Sequence, residues 1–372
     1  MARKILFIDN TSHHLYGQLH LMKAFLDNGY LVEAVVPNDN NYFNRISSIG
    51  INCHNIKIDG KGLNPIQDLK LIMSFRKIFV NVKPDLICSF TIKPNLYSAI
   101  VARNLKIPVI AGVTGLGTAF LKKGLLNFFV IQLYKFAFKE IGCIFFQNKD
   151  NMLFLDKFKI TESAKYSVVL PGDGVNLQKF KYIRLRYSST VTFLFSGRLL
   201  WDKGIGELVE AMRIVKQKYP EAKLKVIGNY FFGNRSSINE SQISSWVNDG
   251  ILEYLGMVDN VIEIIKDCDC VILPSYMEGL PRSLLEASSL GRPIITVDSI
   301  GCRDVVENGI TGYMVNVKDV TSLANAMIKF IEIPYEDKVQ MGKNGRLKME
   351  REFDQEIVIN KYLEISSSLF NI

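Results

Sequence analysis

Short apolar runs separated by helix-length stretches recur along the whole chain, and that rhythm restricts the fold more than any single residue does. KILFI (4–8), LVEAVVP (31–37), NCHNIKI (52–58), DLICSF (85–90), PVIAGV (108–113), CIFFQN (143–148) and YSVVLP (166–171) have the length and content of strands. Stretches at 17–28, 65–81 and 94–104 lie between them and have the length of helices. Strands alternating with helices in this way build a parallel sheet, buried on both faces. A second series begins at VTFLFSGR (191–198) and runs through AKLKVIGN (222–229), ILEYLG (251–256), CVILP (270–274), PIITVD (293–298) and GYMVN (312–316). Helices are expected beside these at 204–218, 259–266, 281–290, 302–307 and 319–332. The expected class is α/β, with two doubly wound Rossmann-like domains. Ligands of such sheets bind beyond the carboxyl ends of the strands, so two halves facing across a cleft would suit a two-substrate enzyme.

A length of 372 residues also favours two cores over one. The segment 176–190 is polar and basic without an apolar period, which places the end of the first domain at 180 and the start of the second at 181. Pro334 to Val339 reads as a further break before a last charged helix. The net charge of +8 points to an anionic partner: nucleic acid, a membrane face or a phosphorylated small molecule. Nucleic acid has the least support, because there is no long basic tail, zinc-finger spacing or aromatic RNA-binding motif. Six scattered cysteines read as reduced thiols, and Cys268 and Cys270 are wrongly spaced for a metal pair. ARKILFI reads as a first buried strand rather than a signal peptide. It leads into NTSHHLYG, not a G-x-G-x-x-G loop, which argues against a dinucleotide-dependent dehydrogenase.

The aromatic segment 120–146 is too interrupted, by Lys135, Lys139 and Glu140, to span a bilayer. Two readings remain open for it. One is a buried helix feeding a strand. The other is an amphipathic helix on a membrane, with Lys122 and Lys123 near phosphates and Phe128, Phe129 and Phe136 toward lipid.

SGRLLWDKG (196–204) follows the first strand of the second series and carries Arg198 and Lys203 around a strand-to-helix turn. A guanidinium fork and a mobile ammonium are suited to a nucleotide diphosphate, although both can equally be solvated loop charges. EGLPRSLLEA places Glu278 in a loop and Glu286 inside the next helix. The backbone at Gly279, Leu280 and Pro281 can offer N–H groups to a phosphate or sugar oxygen. Glu286 can accept from a ribose diol and Glu278 from a sugar hydroxyl, or either can serve only as a helix-end charge. In the first half, His14 and Gly17 follow the first strand, and Lys93, Gly115 and Gly117 follow later ones. Gly115 and Gly117 would allow close backbone approach. His13 and His14 together otherwise read as an exposed, locally bonded pair.

SGRLLWDKGIGELVEA, DCVILPSYMEGLPRSLLEASSLGRPIITVD and GCRDVVENGITGYMV resemble the retaining nucleotide-sugar glycosyltransferases of the GT-B fold. The likeness is to the bacterial enzymes of capsule, lipopolysaccharide and lipid-linked glycan assembly, and runs over nearly the whole chain. It implies that Arg198 and Lys203 bind the donor diphosphate, and that Glu278 and Glu286 form the family's E-x7-E motif at the donor sugar and the ribose. It implies a donor site completed by Gly17, Gly279, Leu280 and Pro281, with Arg198, Lys203 and Glu278 acting in catalysis. His14, Lys93, Gly115 and Gly117 fall to the acceptor side. Phe90 stands where many members have a histidine near the donor sugar. Residues 351–372 would form a last helix crossing back to the first domain, and Asp173 or Asn176 would shape the interdomain turn.

The resemblance further implies transfer of a hexose or N-acetylhexosamine from a UDP-sugar, with no metal or other cofactor. The acceptor would be a polyprenyl-diphosphate-linked saccharide at the anionic inner face of the cytoplasmic membrane. The acceptor would attack from the face that the diphosphate leaves, so retention needs no enzymic nucleophile. A GT-B sugar-nucleotide epimerase and a noncatalytic glycan-binding protein are the alternatives.

Overall fold

The computed structural model describes residues 2–59, 64–115, 125–230, 234 and 236–370. It divides into two compact units, Met1–Asp173 with Val358–Ile372, and Gly174–Ile357.

The first unit carries a seven-stranded sheet of order β3-β2-β1-β4-β5-β6-β7. Its strands are β1 (Lys4–Ile8), β2 (Leu31–Val36), β3 (Asn52–Asn55), β4 (Leu86–Phe90), β5 (Val109–Val113), β6 (Cys143–Phe146) and β7 (Tyr166–Val169). Every pairing is parallel, with Ile5 opposite both Val32 and Leu86 in the centre. Ile5, Leu6, Phe7 and Ile8 are wholly buried, because helices cover both faces.

One face is packed by α4 (Pro65–Val82), α5 (Ile92–Asn104) and α6 (Leu125–Ala137), together with α7 (Lys149–Asp156). The other takes α1 (Ser12–Gly17), α2 (Leu19–Asp27), α3 (Tyr42–Ser47) and the last helix, α14 (Gln355–Phe370). The start of α4 is set by Asn64, whose side chain accepts from the amides of Ile66 and Gln67, with Pro65 in the first turn. In α14, Tyr362 is buried with its ring 4.4 Å from that of Phe145, so this helix completes the first unit's core.

The second unit carries six parallel strands of order β10-β9-β8-β11-β12-β13. They are β8 (Thr192–Ser196), β9 (Lys223–Ile227), β10 (Glu253–Tyr254), β11 (Cys270–Leu273), β12 (Ile294–Val297) and β13 (Gly312–Val315). Its helices are α8 (Ile205–Lys218), α9 (Glu240–Asn248), α10 (Val261–Lys266), α11 (Arg282–Ser289), α12 (Val320–Glu332) and α13 (Tyr335–Lys348).

Several expectations need correction. Residues 302–305 form turns and 306–307 are irregular, so no helix stands there. Pro334 caps α13 instead of opening a long break, and α13 runs through a π-helical turn, Met349–Phe353, toward α14. His13 and His14 lie in α1, not in a loop, because the Thr11 side chain caps that helix by accepting from the His14 amide. The strand at 251–256 shortens to the two residues of β10.

Candidate active site

In the second unit, the chain leaves β8 through Gly197 and Arg198, and a Cβ on Gly228 would fall 1.8 Å from the Gly197 carbonyl oxygen. Only glycine permits that approach. A 3-10 turn, Trp201–Lys203, follows and ends at Gly204, whose φ is +73°. A side chain there would meet the Pro274 oxygen at 2.1 Å, so the turn is pressed against the end of β11. Two hydrogen bonds lock this contact: the Tyr276 amide (3.0 Å) and Ser275 Oγ (3.3 Å) both donate to the Asp202 oxygen. Tyr276 Oη also donates to Glu207 Oε1 at 2.5 Å.

On that frame Lys203 Nζ donates to Glu278 Oε1 in an ion pair. The two side chains are only 11% and 15% exposed, so this is not a screened surface pair. The Glu278 backbone is held in turn, since its amide donates to the Ile300 oxygen at 3.0 Å. A Cβ on Gly301, at φ +79°, would lie 2.6 Å from the oxygens of both Glu278 and Gly279. Pro281 then forms the N-cap of α11 with no side-chain cap, which leaves the start of that helix to its backbone. Cys302 is buried behind the loop, and burial pushes its thiol up to about 11.

Glu286 sits one turn into α11, 17% exposed and 3.7 Å from Arg282 Nη2. Burial raises its carboxyl above the usual range, against the opposing pull of Arg282 and Lys179. Arg198 is exposed on the other segment. Lys203 and Glu278 are in direct contact, Arg198 lies in the segment that leaves β8, and Glu286 lies in α11. An ammonium fixed beside a helix N-terminus at the ends of parallel strands can stabilise negative charge that develops on phosphate oxygens. Among the described residues, no group of three or more His, Cys, Asp or Glu side chains is placed to hold a metal ion.

In the first unit, His14 Nδ1 lies 2.5 Å from Oδ2 of Asp9, a buried carboxylate just after β1. Burial raises the Asp9 carboxyl, and His14 opposes that shift. Gly17 closes α1, and its carbonyl oxygen lies 3.1 Å from His20 Nδ1. Lys93 Nζ pairs with Asp68 Oδ1 at 2.8 Å, on the wall of a cavity of about 930 Å³. That cavity lies beyond the ends of β2 and β3, beside α4, and its lining also includes Asn38, Lys57, Lys70 and Lys77.

Phe90 is 3% exposed and stacks on Phe7, while a Cβ on Gly112 would strike its ring at 2.8 Å. It is therefore a core residue. Thr91, next to it, has φ +66° at the N-cap of α5, a strained backbone for a β-branched residue. Among the described residues, nothing lies within 4 Å of a Cβ built on Gly115, so the space beside its backbone is open. Gly117, Lys122 and Lys123 lie outside the described residues.

Sequence reasoning missed the Asp9–His14 and Lys93–Asp68 pairs. Asp9 and Lys93 come just after β1 and β4, but their partners His14 and Asp68 lie inside α1 and α4, and no local signal joins them.

Solved structures share this two-sheet α/β architecture. Anabaena HepE in complex with UDP and glucose superposes with a TM-score of 0.80 at 17% identity, covering 98% of this chain and 100% of that one. A glycosyltransferase from Rickettsia africae gives 0.79 at 17% identity, covering 99% and 98%. The protein is thus of the GT-B class. A family model described as glycosyl transferases group 1 matches residues 155–348, and one described as glycosyl transferase 4-like matches residues 4–148. The chain belongs to the group 1 glycosyltransferases, enzymes that use nucleotide-sugar donors in polysaccharide biosynthesis.

Among curated relatives, it is 27% identical to the N,N'-diacetylbacillosaminyl-diphospho-undecaprenol alpha-1,3-N-acetylgalactosaminyltransferase of Campylobacter jejuni, over 97% of this chain and 98% of that one. It is also 27% identical to the UDP-Gal:alpha-D-GlcNAc-diphosphoundecaprenol alpha-1,3-galactosyltransferase of Escherichia coli, over 81% and 78%.

Proposed function

We propose that this chain is a retaining hexosyl- or N-acetylhexosaminyltransferase that moves its sugar from a UDP-linked donor to a polyprenyl-diphosphate-linked saccharide. The observation that carries the reading is the Lys203–Glu278 pair, held at the strand ends by Gly204 and Gly301. A carboxylate already beside the ammonium fixes the lysine's rotamer before donor arrives, which lowers the ordering cost of binding.

In this reading Arg198, Lys203 and the first amides of α11 take the negative charge that grows on the departing diphosphate. Glu278 holds a donor-sugar hydroxyl and Glu286 the ribose diol, with Gly279, Leu280 and Pro281 completing the second unit's part of the donor site. The acceptor attacks the anomeric carbon from the face that the diphosphate leaves. The C–O bond to phosphate breaks as the new glycosidic bond forms, and a phosphate oxygen takes the acceptor's proton. No metal ion is assigned a step.

The cavity beside α4 carries Lys57, Lys70, Lys77 and Lys93 against Asp59 and Asp68, and this cationic excess suits the anionic diphosphate of the acceptor. His14 lies on the same acceptor side. The two undecaprenol-linked relatives support this choice of acceptor by their names. The protein would then act at the inner face of the cytoplasmic membrane; among the described residues, no helix is long and apolar enough to cross a bilayer.

The test is transfer from a panel of UDP-, GDP- and dTDP-sugars to a short-chain polyprenyl-diphosphate saccharide, with the product's anomeric configuration read by NMR. An α-linked product from an α-configured UDP-sugar is expected. Inversion would overturn the retaining mechanism. An altered free sugar formed without acceptor would favour the epimerase instead.

A further inference from the structure

The long helix α4 is apolar on two opposite sides. Its inward stripe, Leu71, Phe75, Phe79 and Val82, is buried against the sheet. At 100° per residue, Ile66, Leu69, Met73 and Val80 fall within an arc of roughly 60° on the opposite side. These four are 68%, 58%, 58% and 49% exposed. A helix that needed only to pack on the sheet would carry polar residues there.

The charges beside the outer stripe have one sign. Arg76 borders one edge, and Lys70 and Lys77 border the other, all three exposed. The helix's only acidic residue, Asp68, is turned inward and paired with Lys93. On the same face of the sheet, across α5, α6 exposes Phe128, Phe129 and Phe136 beside Lys135. The wheel position that makes Lys70 and Lys77 border the stripe also turns them toward the cavity they line.

We infer that the outer face of α4 is a docking surface for an anionic lipid bilayer, with the apolar stripe in the acyl boundary and the flanking cations at lipid phosphates. Charge complementarity decides the occupant. A second copy of this chain would set the same cations against each other, whereas anionic headgroups neutralise them. The surface is argued from exposure and charge, and it rests on the proposed lipid-linked acceptor only for its purpose: it brings the lysine-lined cavity to the membrane.

The experiment is sedimentation of the full chain with phosphatidylcholine vesicles, with and without phosphatidylglycerol. Wild type should pellet with the anionic vesicles and far less with the neutral ones. Leu69→Ser with Met73→Ser should lower vesicle partitioning by about tenfold or more. Arg76→Glu, on the edge away from the cavity, should lower it several-fold. All should keep the wild-type melting temperature, because these side chains are exposed, and should keep transfer to a detergent-dispersed short-chain acceptor.

Absence of wild-type binding, or variants that bind as wild type does, overturns the surface. So does a wild-type dimer that the serine pair converts to monomer, which would assign the stripe to a second copy. If vesicle binding fails while transfer proceeds, the surface is wrong and the function stands. If binding holds while no donor and acceptor pair reacts, the surface stands and the function is wrong.

Discussion

Neutralising Lys203 and Glu278 singly and together separates a catalytic charge from a structural one. Both side chains are under one-sixth exposed, so either single change leaves a largely buried charge without its partner. Breaking a fully buried pair costs about 3–5 kcal/mol and an exposed one about 0–1 kcal/mol. This intermediate site should therefore cost about 2 kcal/mol for Lys203→Met or for Glu278→Gln. At roughly 2–4 °C per kcal/mol for a unit of this size, each single variant should melt roughly 4–8 °C lower. The double variant removes both charges and should recover most of that loss, giving an interaction energy of about 3 kcal/mol or more in the cycle. Activity should not follow stability. Without the ammonium, transfer should fall by about a hundredfold or more in the Lys203→Met and double variants alike. Thermal unfolding with and without UDP, together with kcat/KM, reads both quantities. If the double variant regains wild-type stabilisation by UDP and wild-type turnover along with its melting temperature, the pair is scaffolding and the diphosphate role is wrong.

Arg198→Ala, at an exposed position, should leave the melting temperature within about 1 °C of wild type while lowering kcat/KM at least tenfold. Unchanged turnover would remove it from the donor site. Gly301→Ala would place a methyl 2.6 Å from two carbonyl oxygens at φ +79°, and should destabilise by about 2 kcal/mol or more and weaken UDP binding; a variant that melts as wild type does would show that the loop yields. Lys93→Ala should raise the acceptor's KM several-fold with little change in the donor's, and an equal rise in both would detach the cavity from the acceptor.

The sheets were legible in the sequence because parallel strands buried on both faces appear as unbroken apolar runs such as KILFI and CVILP. β10 shortened because ILEYLG lies at the sheet's edge, where only two residues pair with β9. The E-x7-E spacing and the basic turn pointed to the strand ends of the second unit, but the pairing of Lys203 with Glu278 was hidden. Lys203 and Glu278 are far apart in sequence, and nothing local states that they meet. Arg292 is a sharper case. It is 1% exposed, and its guanidinium donates to the oxygens of Ile183, Lys266, Cys268 and Leu290. The sequence shows only an arginine between glycine and proline, while the carbonyls it satisfies come from segments fixed by the tertiary fold.

Glu286 tests whether the site retains a group that the fold alone would reject. Burial lifts its carboxyl above the ordinary value, so the folded state holds that proton more tightly than the unfolded chain does. The contribution of this group to stability is then fully present below the ordinary carboxylate range and is lost as pH rises through the raised value. At neutral pH, Glu286 costs the fold stability. Glu286→Gln copies the protonated shape without the charge and should melt higher than wild type near pH 7, with the difference closing as the pH falls below the ordinary carboxylate range. A ribose diol donating to the carboxylate makes charge-assisted bonds that an amide oxygen replaces poorly, so UDP affinity should drop by about tenfold or more. Gain of stability with loss of UDP affinity is the signature of a residue kept for its ligand. A variant that gains stability and still binds UDP as wild type does would leave the buried carboxylate without that explanation and remove Glu286 from the ribose site.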